Sequence, residues 1–221
     1  MCESPLCLTE EEAYKLNTIA IDHNLVVGVS CPLCHYSMIH YARDILSNNL
    51  IGEVISIRVN YLQNKGVLEK DIGTWKFDSR QAGVSYCFSD LGVQAFQLVR
   101  YITQLNPCRV SASFSRTNGN LNFDEFGSAL LQMKEGGFCH IYTSKISLLH
   151  ENDLSIEIDG SLGSLAWSLN QPSQLIYQRI HMNKQVITPE SPPLIDHLRL
   201  HYSRTPFGQP EVGEGINDAD E

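Results

Sequence analysis

The hydrophobic pattern of the chain changes near residue 52, and the change separates two kinds of predicted structure. After this point every second residue is apolar from Ile55 to Tyr61, and similar alternation recurs over 126–134, 137–146, 153–159 and 164–169. A period of two is typical of antiparallel strands with one buried face. The sequence therefore predicts an α+β fold with a large, mainly antiparallel sheet, helices on one of its faces and the other face available for a partner.

Before residue 52 the apolar positions follow helical spacing. A capping box from Thr9 to Glu12 begins a helix that continues to Asn24, and a second helix is predicted around residues 38–46. The short apolar run 26–29 is typical of a buried parallel strand, so residues 1–29 are interpreted as a β-α-β unit.

One more helix, predicted from Phe88 to Thr103, interrupts the alternating strands. Its apolar residues share one face, and at 100° per residue the side chains of Asp90, Gln94 and Gln97 gather on the opposite face. A polar helix face either meets water or lines a binding site. Both interpretations remain open at this stage.

Composition places the chain among ordinary globular proteins. It has 221 residues, 43% of them hydrophobic, and no apolar run of about 18 residues that could span a membrane. The net charge is −9, but the last eleven residues supply five of the negative charges, so that the body carries about −4. The 16 lysines and arginines are scattered, which argues against a nucleic-acid partner.

The cysteines and the N-terminal sequence indicate the cellular compartment in which the protein is expected. The sequence has an odd number of cysteines, seven, with no repeating frame, which favours reduced thiols over disulfides. The N-terminal residues lack the basic and apolar regions of a signal peptide, so a cytoplasmic location is expected.

The sequence Cys31-Pro-Leu-Cys34-His35 matches the C-x-x-C-H pattern that attaches c-type haem. The same cysteines would also suit half of a zinc site or a dithiol redox pair. Haem attachment needs export, and zinc needs further ligands that the sequence does not supply at fixed spacing; Cys139-His140 lies far away. The favoured interpretation is a pair of packing cysteines, and no metal site is predicted.

Several motifs in a fixed order resemble the second half of the Gfo/Idh/MocA oxidoreductases. These are Glu3-Ser-Pro5 before a capped helix, "NLIGEVISIRVNYLQ", Trp75, "AGVSYCFSDLGVQAFQL" and "RTPFGQPE". The resemblance implies an NAD(P)-binding Rossmann domain followed by an α+β domain whose open sheet pairs two subunits. It also implies that Glu3, Trp75, Asp90 and Gln94 occupy substrate-binding positions, and that Glu3 and Pro5 retain a residual part of the cofactor site.

The chain departs from the family pattern at the positions that carry its chemistry. The family's Glu-Lys-Pro motif has Ser4 in place of lysine, and its Asp-x-Gly-x-His motif keeps Asp90 and Gly92 but has Gln94 in place of histidine. A glutamine amide can form hydrogen bonds, but it cannot accept a proton as a general base. Near the end of the chain Gln209 also stands where the family has histidine. No intact catalytic set is therefore expected.

The sequence also lacks the G-x-G-x-x-G turn that cradles a dinucleotide pyrophosphate. We therefore expect residues 1–30 to be a remnant of the NAD(P)-binding domain, 31–210 to be the α+β domain and 211–221 to be a disordered acidic tail. No cofactor is expected for this chain, although the family uses NAD(P).

Two functional hypotheses remain. The first is a truncated or degenerate family member, a pseudoenzyme without dehydrogenase turnover on its own. The second is a non-catalytic module that forms homodimers through the open sheet face or holds a sugar-like ligand. A cytochrome-type protein is a remote third possibility, which a Soret band would reveal.

Overall fold

A computed structural model describes residues 1–68, 82–117, 123–192 and 194. Its centre is an eight-stranded sheet with the order β2-β3-β4-β1-β5-β6-β7-β8. The strands are β1 (Val54–Gln63), β2 (Pro107–Ser115), β3 (Phe126–Met133), β4 (Phe138–Ser144), β5 (Asn152–Gly160), β6 (Gly163–Ser168), β7 (Leu175–Arg179) and β8 (Gln185–Ile187). Strands β1 and β4 run parallel, and the other ladders between described strands are antiparallel. The predicted α+β fold is confirmed.

The described helices include two that flank the sheet. The described helices are α1 (Glu10–Asp22), α2 (Ser37–Ser47), the single turn α3 (Lys65–Leu68) and α4 (Val93–Thr103). A 3-10 turn (Pro32–His35) precedes α2, and a π-helical turn (Phe88–Gly92) leads into α4. Helices α2 and α4 pack against each other and against the sheet. In the described part of the chain no helix is long and apolar enough to cross a membrane.

The core lies between α2, α4 and the inward face of the sheet. Alternation along β1 sends Ile57, Val59 and Tyr61 inward, where each is at most 5% exposed, while Arg58 and Asn60 face outward. Helix α2 contributes Met38, Ile39 and Ile45, and α4 contributes Leu98 and Ile102, all of them almost fully buried. Each such side chain stabilises the fold by roughly 1.5–3 kcal/mol through removal of apolar surface from water.

A glycine turn allows β3 to continue into β4. Gly136 and Gly137 have positive φ angles of 102° and 80°. A Cβ atom on Gly137 would lie 2.7 Å from the carbonyl oxygen of Ile55 in the neighbouring strand β1, so the close approach as well as the backbone conformation requires glycine here. The turn falls between the alternating runs 126–134 and 137–146 of the sequence.

Three strands were missed by the sequence analysis, and one predicted strand is wrong. Strands β2, β7 and β8 were not anticipated. The run 26–29 is not a buried strand: Val26 is 99% exposed, and pairing is limited to a parallel bridge between Val29 and Cys2. In the described residues the run 26–29 has no strand beside it apart from this single bridge. Its apolar residues therefore stay exposed.

The N-terminal helix is correctly predicted, although its apolar face is uncovered. Thr9 and Glu12 form the predicted reciprocal capping box. None of the helix residues is buried, and Leu16, Ile19 and Ile21 are 41%, 50% and 70% exposed. Local capping therefore contributes more to α1 than tertiary packing does.

This exposure generates a prediction for hydrogen exchange. Amides of Glu10–Asp22 should exchange at least about tenfold faster than those of the buried helix Ser37–Ser47, because opening α1 exposes little additional apolar surface. Exchange mass spectrometry at low and high protein concentration tests this, since self-association through the apolar face would slow α1 only at high concentration. Equal protection of both helices in a monomer would contradict the prediction.

Candidate functional site

The site begins with a carboxylate that fixes the entrance to α4. Both oxygens of Asp124, a residue that is 9% exposed, accept backbone hydrogen bonds: Oδ1 from the Tyr86 N–H and Oδ2 from the Phe88 N–H, each at 2.8 Å. These bonds satisfy amide groups at the start of the helical segment, which have no carbonyl partner within it. Asp124 precedes β3, so the sheet sets the position of the turn that carries Asp90.

The turn Phe88–Gly92 is π-helical, whereas the sequence predicted a continuous helix over 88–103. Gly92 allows this conformation to pack tightly, because a Cβ atom there would lie 2.6 Å from Cδ1 of the Phe88 ring. π-Helical turns are uncommon and often occur at functional sites. Asp90 lies in the middle of this turn.

An ion pair joins Asp90 to the end of strand β4. The Nζ of Lys145 lies 2.6 Å from Oδ2 of Asp90, and the lysine side chain is 3% exposed against 41% for the aspartate. The ammonium also lies 3.9 Å from the centre of the Tyr86 ring, which adds a cation–π interaction. Lysine is seldom buried unless it is paired. Asp90 thus balances a buried charge and keeps part of its carboxylate accessible.

Two glutamines extend the polar surface along α4. Nε2 of Gln94 donates to Oδ1 of Asp90 at 3.3 Å. The hydroxyl of Ser4 donates to Oε1 of Gln97 at 3.4 Å, and this contact connects the N-terminal segment to the helix. Ser4, Asp90, Gln94 and Gln97 are all half-buried, so they line a partly accessible polar surface.

A buried phenol lies beneath this surface. Burial raises the pKa of Tyr61 to about 12, and the nearby Asp90 carboxylate acts in the same direction. Tyr61 is 5% exposed. It therefore stays neutral at physiological pH and keeps its hydroxyl proton.

The structure brings Ser4, Asp90 and Gln94 to the same region, whereas Glu3 and Pro5 are exposed on the N-terminal segment. Trp75, Gln209, the motif "RTPFGQPE" and the acidic tail lie outside the described residues. Sequence reasoning missed Lys145, Tyr86 and Asp124. Lys145 follows the buried residues Thr143 and Ser144, and this burial is visible only in the structure.

The described N-terminal residues do not fit a dinucleotide pyrophosphate. A helix N-terminus that binds phosphate needs free backbone N–H groups and no competing negative charge. The first turn of α1 carries Glu10, Glu11 and Glu12, and the Thr9 and Glu12 side chains already occupy its cap. The sequence contains no G-x-G-x-x-G turn that could replace it.

Comparison with solved structures finds the same architecture in other proteins. An inositol dehydrogenase homolog from Azotobacter vinelandii complexed with NAD+ matches with a TM-score of 0.88 at 24% identity, over 98% of this chain and 57% of that one. The structure of such a homolog with NADH and myo-inositol from the same organism matches with a TM-score of 0.86 at 23% identity, over 98% and 56% of the two chains. At this identity the similarity shows the fold alone.

Sequence comparison identifies the family. The family model of the GFO/IDH/MocA C-terminal domain matches residues 39–166, more than half of the chain, and the chain belongs to this family. Glucose-6-phosphate 3-dehydrogenase of Bacillus subtilis (strain 168) is 23% identical over 180 residues, which are 78% of this chain and 51% of that protein. The chain thus spans about half the length of this curated relative.

The ion pair generates a prediction for stability. Asp90→Ala should lower the free energy of unfolding by about 1–3 kcal/mol, because it leaves the buried Lys145 ammonium without a counter-charge. Glu157→Ala is the matched control: its carboxylate pairs with Arg58 at 2.7 Å, but both side chains are about half exposed, so a loss of at most about 0.5 kcal/mol is expected. Urea unfolding measures both changes. Equal decreases in the free energy of unfolding would contradict the prediction that the Asp90–Lys145 pair contributes more than an exposed ion pair.

Proposed function

We propose that this chain is the ligand-binding unit of a degenerate GFO/IDH/MocA-type oxidoreductase, which binds a polyhydroxylated ligand without completing dehydrogenase turnover on its own. The arrangement of Asp90, Gln94 and Lys145 carries the proposal. A carboxylate is held in place by a buried ammonium, and an amide stands beside it where the family pattern has histidine.

The ligand class follows from the hydrogen-bonding groups. Asp90 accepts hydrogen bonds, and the amides of Gln94 and Gln97 both donate and accept them. Such a set matches the adjacent hydroxyl groups of a sugar or cyclic polyol, each of which is also a donor and an acceptor. The names of similar proteins point the same way, since they include a glucose-6-phosphate 3-dehydrogenase and an inositol dehydrogenase homolog complexed with NADH and myo-inositol.

Turnover fails at proton transfer. Oxidation of an alcohol requires a group that removes the hydroxyl proton, and Gln94 cannot accept one. The nearest carboxylate, Asp90, is already engaged by the Lys145 ammonium at 2.6 Å and by the Gln94 amide at 3.3 Å. Loss of a positioned acid or base typically costs about 10²- to 10⁴-fold in rate. The described N-terminal residues also do not fit a pyrophosphate. We therefore expect no NAD(P) to be bound there as the hydride acceptor.

The second candidate is a homodimerising module, and the open sheet face favours it. Two apolar side chains on this face, Leu130 and Phe138, are 44% and 50% exposed. Beside them Arg58 forms ion pairs with Glu157 and Asp159 at 2.7 and 2.9 Å. Mixed apolar and paired charged groups are suited to a self-complementary interface. Both proposals are compatible with one chain, and the seven thiols fit a reducing compartment such as the cytoplasm.

The ligand site is tested by binding and turnover together. With NAD+ or NADP+ and either myo-inositol or glucose 6-phosphate, the purified chain should produce no reduced cofactor. Ligand-observed NMR should detect binding of at least one of the two polyols. Gln94→Ala should weaken that binding by at least about tenfold through loss of direct hydrogen bonds, whereas Gln132→Ala, an exposed glutamine on β3, should leave it unchanged.

Each result has a distinct meaning. Steady formation of NADH or NADPH by the unmodified chain would overturn the absence of turnover. Equal affinities of the Gln94→Ala and Gln132→Ala variants would overturn the ligand site.

The homodimer is tested by sedimentation. Phe138→Asp should convert a dimer to a monomer, because it places a charge in the buried part of the interface. Leu149→Asp is the matched control: this leucine is 95% exposed, but it lies in the turn between β4 and β5, away from the sheet face. A monomeric unmodified chain, or loss of the dimer in both variants, would contradict an interface on the sheet.

A further inference from the structure

Cys31 immediately precedes the 3-10 turn Pro32–His35 and Cys34 lies within it, and their sulfur atoms face each other. The Cys34 N–H donates to the Cys31 carbonyl oxygen at 3.0 Å, which closes the turn. The two Sγ atoms are 2.8 Å apart. Pro32 occupies the first turn position and restricts its backbone. The local backbone therefore holds the two thiols together before any bond forms between them.

The two cysteines differ in accessibility and acidity. Cys31 is half-buried, whereas Cys34 is 5% exposed. The hydrogen bond from Cys34 lowers the pKa of Cys31, and burial opposes this effect without cancelling it. The same contact and burial raise the pKa of Cys34. An accessible thiol of lowered pKa beside a buried partner is the arrangement of a nucleophilic and a resolving cysteine.

Other buried cysteines in the chain have a different environment. Cys87 donates from Sγ to Oγ1 of Thr143 at 3.4 Å, and burial raises its pKa to about 11. Cys139 is fully buried, and burial raises its pKa to about 12. These two thiols behave as packing residues, which is the role the sequence analysis favoured for Cys31 and Cys34 too. They provide an internal reference for an unreactive cysteine.

A metal site is a weaker explanation for the pair. Within the described ranges no group of three or more histidine, cysteine, aspartate or glutamate side chains is arranged to hold a metal ion. Structural zinc sites use four such ligands. Two thiols in contact with no third ligand are better suited to forming a bond with each other.

We propose that Cys31 and Cys34 form a reversible redox dithiol that is oxidised by low-molecular-weight disulfides. The Cys31 thiolate attacks one sulfur of the small disulfide, forms a mixed disulfide and releases one thiol. Cys34 loses its proton and attacks the Cys31 sulfur, which forms the Cys31–Cys34 disulfide and releases the second thiol. The protein loses two electrons and two protons, and the small disulfide is reduced to two thiols.

The position of the dithiol gives the reaction a structural context. The segment ending at Val29, which bridges to Cys2, leads directly into Cys31. The turn packs against α4, the helix that carries Gln94 and Gln97. Oxidation would fix the connection between the N-terminal segment and the sheet domain. Because the closed loop is very short, its effect on the unfolded chain is small, and a chemical readout is more informative than a stability measurement.

The test uses the whole chain, glutathione disulfide as the oxidant and iodoacetamide to trap remaining thiols. Trypsin cleavage after Lys15 and Arg43 yields the peptide 16–43, whose only cysteines are Cys31 and Cys34. After oxidation this peptide should be recovered without alkylation and lighter by two hydrogen atoms, and dithiothreitol should reverse the change. In the reduced protein, iodoacetamide should modify Cys31 at least about tenfold faster than Cys139.

Two variants separate the steps. Cys34→Ser should stop at a stable glutathione adduct on Cys31, and Cys31→Ser should leave Cys34 unmodified by glutathione. Retention of the unmodified chain's circular dichroism spectrum shows that each variant is folded. Failure of the unmodified chain to form the internal disulfide, or equal alkylation rates of Cys31 and Cys139, would overturn the proposal.

Discussion

The central strand β1 must pair along both of its edges, and this requirement organises the rest of the molecule. One edge is bonded to β4 in parallel, with Val59 opposite Ile141, and the other to β5 in antiparallel register, with Val59 opposite Ile156. A shift of one residue in either ladder would turn the buried side chains of β1 to the solvent. The register therefore fixes which face receives α2 and α4, and it leaves the other face open.

The same register assembles the candidate site. Strand β4 ends at Ser144, so the next residue, Lys145, lies just beyond the C-terminal end of this strand. Asp124 lies two residues before the neighbouring strand β3 and holds the turn that carries Asp90. The end of β4 pairs with the start of β3, Ser144 opposite Phe126. Residues that are far apart in sequence therefore meet at this point. The sheet is the support of the site, and α4 supplies its polar surface.

Sequence reasoning succeeded where one side of an element is buried. Strands β1, β3, β4, β5 and β6 alternate between core and solvent, so their period was visible in the sequence. Strand β2 was missed, although its apolar and polar residues alternate too. In the structure eight of its nine residues are exposed, so β2 has no buried face. Strand β8 has three residues, fewer than a periodic pattern requires. Burial on one face was not sufficient, however: β7 was missed although Leu175 and Tyr177 are buried, and its five residues are few for a periodic pattern.

The candidate site was only partly accessible to sequence reasoning. Helical spacing and a family resemblance together indicated Asp90 and Gln94, and the structure places their side chains in contact. Lys145 could not be found in this way, because a lysine at the end of a strand ordinarily faces solvent. Its burial depends on the ladder between β1 and β4, which joins segments about eighty residues apart. The family resemblance indicated individual residues such as Asp90. The ion pair between Asp90 and Lys145 forms only when the folded chain brings the two residues together.

The edge strand β2 has a consequence for how the protein behaves at high concentration. In the described part of the chain it pairs with β3 alone, and its apolar residues Val110 and Phe114 are 66% and 49% exposed. Unpaired backbone groups beside exposed apolar side chains provide a template for strands of other molecules. Arg109 is the one charged residue within this strand, and Pro107 removes a backbone donor at its start. Protection against sheet-to-sheet growth along this edge thus depends on one guanidinium group and one proline within the strand.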